Sequence, residues 1–138
     1  MSKWTDDQVT SVLHRLEKDI RACLKETSLG WKVDKSLQSR ESETFLDLCL
    51  DFEDLTLGVE LDGNHQMFQI IRWIEGYDWV TDTVSQICDF IMETTTEPFP
   101  VCKYSSRHSL SLECASEAEG YVWVCKIHCY SQALGSLC

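Results

Sequence analysis

Apolar residues recur first with a helical period. Val9, Val12, Leu13, Leu16, Ile20, Cys23 and Leu24 stand three or four apart, which places them on one face of an α-helix. Thr5-Asp6-Asp7 can cap its start, so a helix is expected from there to about Glu26, closed by Gly30. Lys18, Arg21 and Lys25 gather toward its C-terminus, where cations complement the helix dipole. The period then falls from 3.6 to 2. Leu29–Asp34 forms a weak strand candidate, and from Thr44 to Asp62 the alternation is clear. Leu46, Leu48, Leu50 and Phe52 share one face, followed by Leu55, Leu57, Val59 and Leu61, with Glu53-Asp54 as a short hairpin connection. The opposite face carries Asp47, Cys49, Asp51, Thr56 and Glu60, with Asp62 at its edge. The pattern predicts a one-sided antiparallel ladder, apolar inward and acidic outward.

Asp62-Gly63-Asn64-His65 reads as a turn. Met67–Ile74 reads as a strand from its length and its Phe, Ile and Trp content, and Gly76 breaks it. A second helix is expected over residues 78–94, with Val80, Val84, Ile87, Cys88 and Ile91 as its apolar stripe. Asp82, Gln86, Asp89 and Glu93 then face outward, and the Thr94–Thr96 run with Pro98 ends the helix. Strands return at Val101–Tyr104, Ser109–Cys114 and Tyr121–Tyr130, with residues 115–120 as a loop. If the last strand is continuous, Tyr121, Trp123, Cys125, Ile127 and Cys129 share one face, and Val122, Val124, Lys126, His128 and Tyr130 the other. The tail from Gln132 to Cys138 is expected to be mobile. Helix, strands, helix, strands is an α+β order with a mainly antiparallel sheet, and 138 residues suit a single domain.

Charge changes the picture more than composition does. Apolar residues make up 43 % of the chain, enough for a packed core. Between Glu41 and Cys102 fourteen acidic residues face one base, Arg72. The flanks sum to +2, so the net charge of −11 comes entirely from those 62 residues. Such a field repels nucleic acid and anionic lipid and attracts basic surfaces. No basic footprint for DNA or RNA is visible, and no 18-residue apolar window exists to span a bilayer. Met1–Asp7 lacks the apolar run of a secretory signal. A cytoplasmic location is therefore expected, where the eight cysteines stay reduced and behave as small hydrophobes.

Candidate chemistry is thin. Cys125-x-x-His128-Cys129 comes nearest to a metal motif, but a continuous strand would turn His128 away from both cysteines. Cys102 and Cys114 lack the close-spaced partner that zinc sites draw from tight turns. Core-facing thiols and no metal are expected. His14, His65, His108 and His128 are scattered, with His65 in the turn the least trivial. No Gly-rich phosphate loop occurs, and a flat acidic ladder offers no cleft for acid–base catalysis. No catalytic residue and no cofactor are expected.

Like charges directly across a sheet cost about 0.2–1 kcal/mol each, a cost that a basic partner offsets. The expected docking surface comprises Asp47, Asp51, Glu53, Asp54, Glu60 and Asp62 on the hairpin. Trp73, Asp78, Trp79 and Asp82 extend it beside Gly76, because aromatics next to acids make interface anchors. In size, charge and element order the chain resembles immunity proteins, small acidic α+β domains that cover the basic site of a nuclease toxin. It is similar in the same coarse respects to type III secretion chaperones, and a phage-type inhibitor that mimics nucleic acid is a third reading. The first resemblance implies a non-enzymatic binding protein for a basic toxin, and the second one for a secreted effector.

Overall fold

The amphipathic stripe at the N-terminus forms α1, Asp6–Cys23, which buries Val9, Val12, Leu13, Leu16 and Ile20. In the computed structural model, residues 6–24, 28–35, 38–42, 54–71, 78–116 and 120–137 are described. Four strands follow α1: β1 (Leu29–Lys35), β2 (Gln38–Ser42), β3 (Asp54–Leu61) and β4 (Asn64–Ile71). They form one antiparallel sheet in the order β2-β1-β3-β4. After α2 (Trp79–Thr95) come β5 (Val101–Cys102) and β6 (Ser105–Ser109), a two-stranded sheet. A last sheet of three holds β7 (Ser111–Ser116), β8 (Gly120–Cys125) and β9 (Tyr130–Ala133). The fold is α+β with antiparallel pairing among the described strands.

Alternation along β3 behaves as expected: Leu57, Val59 and Leu61 are fully buried and Glu60 is exposed. Its partners differ from the expected hairpin. Over Thr56–Leu61 one edge of β3 pairs with β1 and the other with β4, so no edge remains there for an arm at 44–52. That arm lies outside the described residues, and Asp54 opens β3 opposite Ile71 rather than making a hairpin connection. Period 2 identifies a strand but not its neighbour. The neighbour is chosen by the Asp62-Gly63 turn, where Leu61 meets Asn64 and both loop residues have positive φ, 50° and 85°. Asp-Gly suits that two-residue turn because both central positions need left-handed backbone. Asp62 ties the turn to the start of β1: its amide donates to the Ser28 carbonyl at 3.0 Å, and its Oδ1 accepts from the Ser28 amide at 2.9 Å.

α1 lies between two sheets. The Trp31 indole on β1 donates to Glu17, and the Trp123 indole on β8 donates to Asp19 Oδ2 at 2.7 Å. Both carboxylates are buried, at 5 % and 0 % exposure. α2 closes over the four-stranded sheet with Phe90 edge-on to Phe68, their ring centres 6.2 Å apart. Phe99 meets Trp123 in the same way at 6.4 Å. Buried residues from Val9 to Leu134 form one continuous cluster. Each large side chain in it is worth about 1.5–3 kcal/mol on burial.

One expectation fails near the C-terminus. The last strand stops at Cys125, residues 126–129 turn, and β9 pairs back from Tyr130 opposite Cys125. The stretch after β9 makes contacts with α1. Leu134 is buried, and the Gly135 and Leu137 amides donate to Asp19 at 2.7 and 2.9 Å. Gly135 has φ +92°, and a Cβ there would lie 3.1 Å from the Arg15 side chain on α1. Glycine lets the chain pass at that distance. No helix among the described residues is long and apolar enough to cross a membrane.

Candidate functional site

α2 starts where Asp78 caps it. One carboxylate oxygen accepts from the Val80 and Thr81 amides at 3.1 and 3.3 Å, and from the Tyr121 hydroxyl at 2.9 Å. Burial and the neighbouring Asp78 push the Tyr121 hydroxyl well above its usual pKa, so it remains a donor. The helix ends at Thr96, left-handed at φ 59°, whose amide returns to the Met92 carbonyl. Eight residues of α2 are buried, including Trp79, Val80, Val84, Ile87 and Ile91. Asp82, Ser85, Gln86, Asp89 and Glu93 are exposed on the other side.

That outward face is electrostatically unfavourable for the helix itself. Asp89 and Glu93 are a like-charge i,i+4 pair, which costs about 0.2–0.5 kcal/mol. Glu93 sits in the last turn, which holds no base, against the negative end of the dipole. Exposed Glu97 follows directly. No Lys, Arg or His occurs anywhere in α2. Beside this face a groove of about 240 Å³ runs to β7, lined by polar Thr81, Ser85, Asp89, Ser109 and Ser111 and by apolar Val84, Cys88, Met92, Leu110, Leu112 and Trp123.

Among the residues expected to dock a partner, those whose side chains are described do not share one surface. Asp47, Asp51, Glu53 and Trp73 lie outside the described residues. Glu60 is exposed, but its cross-strand neighbour on β4 is His65, and Lys32 stands on the adjacent strand opposite Gly58. The outer face described for this sheet therefore mixes charges instead of forming an acidic ladder. Asp62 is exposed with one oxygen engaged by Ser28. Asp78 is half-buried as the cap, and Trp79 is fully buried, so as folded it offers no anchor. The aromatic is drawn inward because its position continues the stripe of Val80 and Val84. Only Asp82 of the expected set lies on the outward face of α2, where its carboxylate accepts from Gln86 at 3.4 Å. Asp89 and Glu93 belong to the surface too. Helical spacing had already turned them outward.

A second cluster sits where two turns meet, between β5 and β6 and between β8 and β9. Sγ of Cys102, Sγ of Cys125 and Nδ1 of His128 all lie within 4.8 Å of one another. Nδ1 is 3.3 Å from the Cys102 sulfur and 3.5 Å from that of Cys125. The Tyr104 amide donates to Cys102 at 3.4 Å, and the His128 amide to Cys125 at 3.3 Å. Both cysteines are buried, at 3 % and 2 % exposure. Desolvation pushes the Cys102 thiol up, but donors from Tyr130, the Tyr104 amide, Cys125 and the Ser105 amide outweigh it and hold the thiol below its usual pKa. The rings of Tyr104 and His108 flank His128, with centres at 5.4 and 5.5 Å. The Lys103 ammonium lies over the Tyr130 ring, 4.5 Å from its centre.

This arrangement overturns the reasoning that kept His128 away from the cysteines. Strand alternation ends at Cys125, so the turn swings His128 back onto the Cys125 side. Cys129, expected in the core, is exposed at φ 54°. Cys88, Cys102, Cys114, Cys125 and Cys129 are free thiols. Burial raises the Cys88 thiol well above the ordinary range. His65 is exposed on β4 and His14 lies 3.9 Å from Glu17. No family model matches the chain, and no curated protein or solved structure is found to be similar to it.

Proposed function

We propose that the chain is a binding protein rather than an enzyme, and that it docks a basic protein surface through the outward face of α2. The observation that carries this reading is the row Asp82, Asp89 and Glu93, exposed on a helix without a single cation. Folding alone favours Lys or Arg in the last turn of such a helix. A basic partner turns the same self-repulsion into attraction and speeds the encounter. The groove beside Asp89 adds depth, with apolar lining for the methylene stem and one carboxylate for the charge of a Lys or Arg side chain. Within this class an immunity-type role, covering the basic site of a nuclease toxin inside the cell, is the specific form proposed. A secretion chaperone is the weaker form, because the apolar side of α2 is occupied by the core.

Two variants with the same change in net charge test it. Asp89→Lys with Glu93→Lys adds four positive units on α2, and Glu60→Lys with Gln66→Lys and Gln69→Lys adds four on the sheet. Affinity capture from the source cells should retain a basic protein on the wild type and on the sheet variant, and lose it on the α2 variant. Retention of that protein by the α2 variant, or equal loss by both, contradicts docking at this face.

A further inference from the structure

We infer that Cys102, Cys125 and His128 form a tetrahedral zinc site, with Sγ, Sγ and Nδ1 as protein ligands and water in the fourth place. Thiolate and imidazole are the donor set that selects zinc over calcium or magnesium, which take oxygen. The spacing agrees. Zinc lies about 2.3 Å from sulfur and 2.0–2.1 Å from nitrogen, so tetrahedral ligands place sulfur and nitrogen about 3.5 Å apart. The two sulfur–nitrogen distances are 3.3 and 3.5 Å. All three ligand atoms already converge on one point.

The backbone is arranged for thiolates as well. Each sulfur accepts an amide of its own turn, Tyr104 for Cys102 and His128 for Cys125, and such bonds strengthen when the acceptor is charged. The ligands come from two tight turns at the ends of different sheets. Neither a hydrophobic core position nor a disulfide needs a histidine nitrogen aimed at both sulfurs. His128 is partly exposed, which leaves a solvent side for the fourth ligand. Binding through Nδ1 leaves the proton on Nε2. One zinc ion displaces the two thiol protons, so the reaction is Zn²⁺ plus two thiols and one neutral imidazole giving the bound ion and two protons, and affinity rises with pH. The ion staples the β5–β6 turn to the β8–β9 turn. Nothing in this requires a basic partner.

The test uses the full chain, reduced and stripped of metal, with zinc and cobalt ions as probes. One zinc should bind per chain, and cobalt should give the intense visible bands of a tetrahedral centre with near-ultraviolet sulfur-to-cobalt charge transfer. His128→Ala should weaken binding by ~100-fold or more, whereas Cys114→Ser should leave it unchanged. Circular dichroism of His128→Ala confirms that loss of metal is not loss of fold. Without any substitution, zinc should protect Cys102 and Cys125 from alkylation while the exposed Cys114 and Cys129 still react. A pale octahedral cobalt spectrum, unaltered affinity in His128→Ala, or alkylation of Cys102 and Cys125 at saturating zinc overturns the site. So does a Cys102–Cys125 disulfide in the protein as isolated under reducing conditions.

Discussion

Asp19 holds more of the fold than any surface acid. Its carboxylate accepts from the Trp123 indole, the Gly135 amide and the Leu137 amide, joining α1 to β8 and to the C-terminal stretch. Asp19→Ala leaves three donors without an acceptor, and urea unfolding should show a loss of about 2–4 kcal/mol. Asp19→Asn keeps one oxygen and should lose about 1–2 kcal/mol. The pH dependence has a definite sign. Burial raises the Asp19 pKa, outweighing the bonds from Trp123, Gly135 and Leu137 that lower it. The folded chain therefore keeps this proton after the unfolded chain, with pKa about 3.9, has released it. Stability from this group falls as pH rises from that value through the folded pKa. The deficit of Asp19→Asn relative to wild type should be greatest below about pH 4 and should shrink as pH rises. A deficit that grows across that window contradicts the burial argument. None of this is legible in the chain, where Asp19 is one polar residue on a helix and its partners lie 104 to 118 residues away.

The two helices were legible because their stripes repeat over three or more turns, and both formed within three residues of the expected ends. α2 carries the prediction that separates function from stability. Asp89→Lys with Glu93→Lys exchanges one like-charge pair for another but places a cation in the last turn of α2 in place of Glu93, so the melting temperature should rise by a few degrees, at about 0.3–1 kcal/mol for the favourable dipole contact. A variant that is less stable shows that these acids have a folding role that their exposed positions conceal. Asp78→Ala should do the reverse and lose about 1–2 kcal/mol, because it removes the cap and the carboxylate that accepts from the Tyr121 hydroxyl. Strand pairing was harder to read. Alternation in Thr44–Asp62 and in Tyr121–Tyr130 says nothing about where a chain folds back. The β8–β9 turn contains neither Gly nor Pro; the left-handed position is taken by Cys129. That single missed turn hid the Cys102–Cys125–His128 cluster, the part of the chain richest in chemistry.

Among the described residues the acid excess is not spread evenly over one sheet. Of the central acids whose side chains are described, Glu60 faces His65, Asp62 holds Ser28 and Asp78 caps α2. Asp82, Asp89 and Glu93 remain together on one exposed face, with Glu97 just beyond it. One core joins both helices to three small sheets, so a change on α2's outer face leaves the fold's apolar contacts in place. The docking proposed for that face depends on ionic strength, since exposed charges are screened beyond about 8 Å at physiological salt. The decisive quantity is the association rate with the basic protein retained by capture, measured at low and at physiological salt. For wild type it should fall with added salt, and at low salt Asp89→Lys with Glu93→Lys should reduce it by about ten-fold or more. The sheet variant of equal charge should stay much closer to wild type. Association rates that ignore both salt and the α2 reversal, or that fall equally in the two variants, contradict docking on α2.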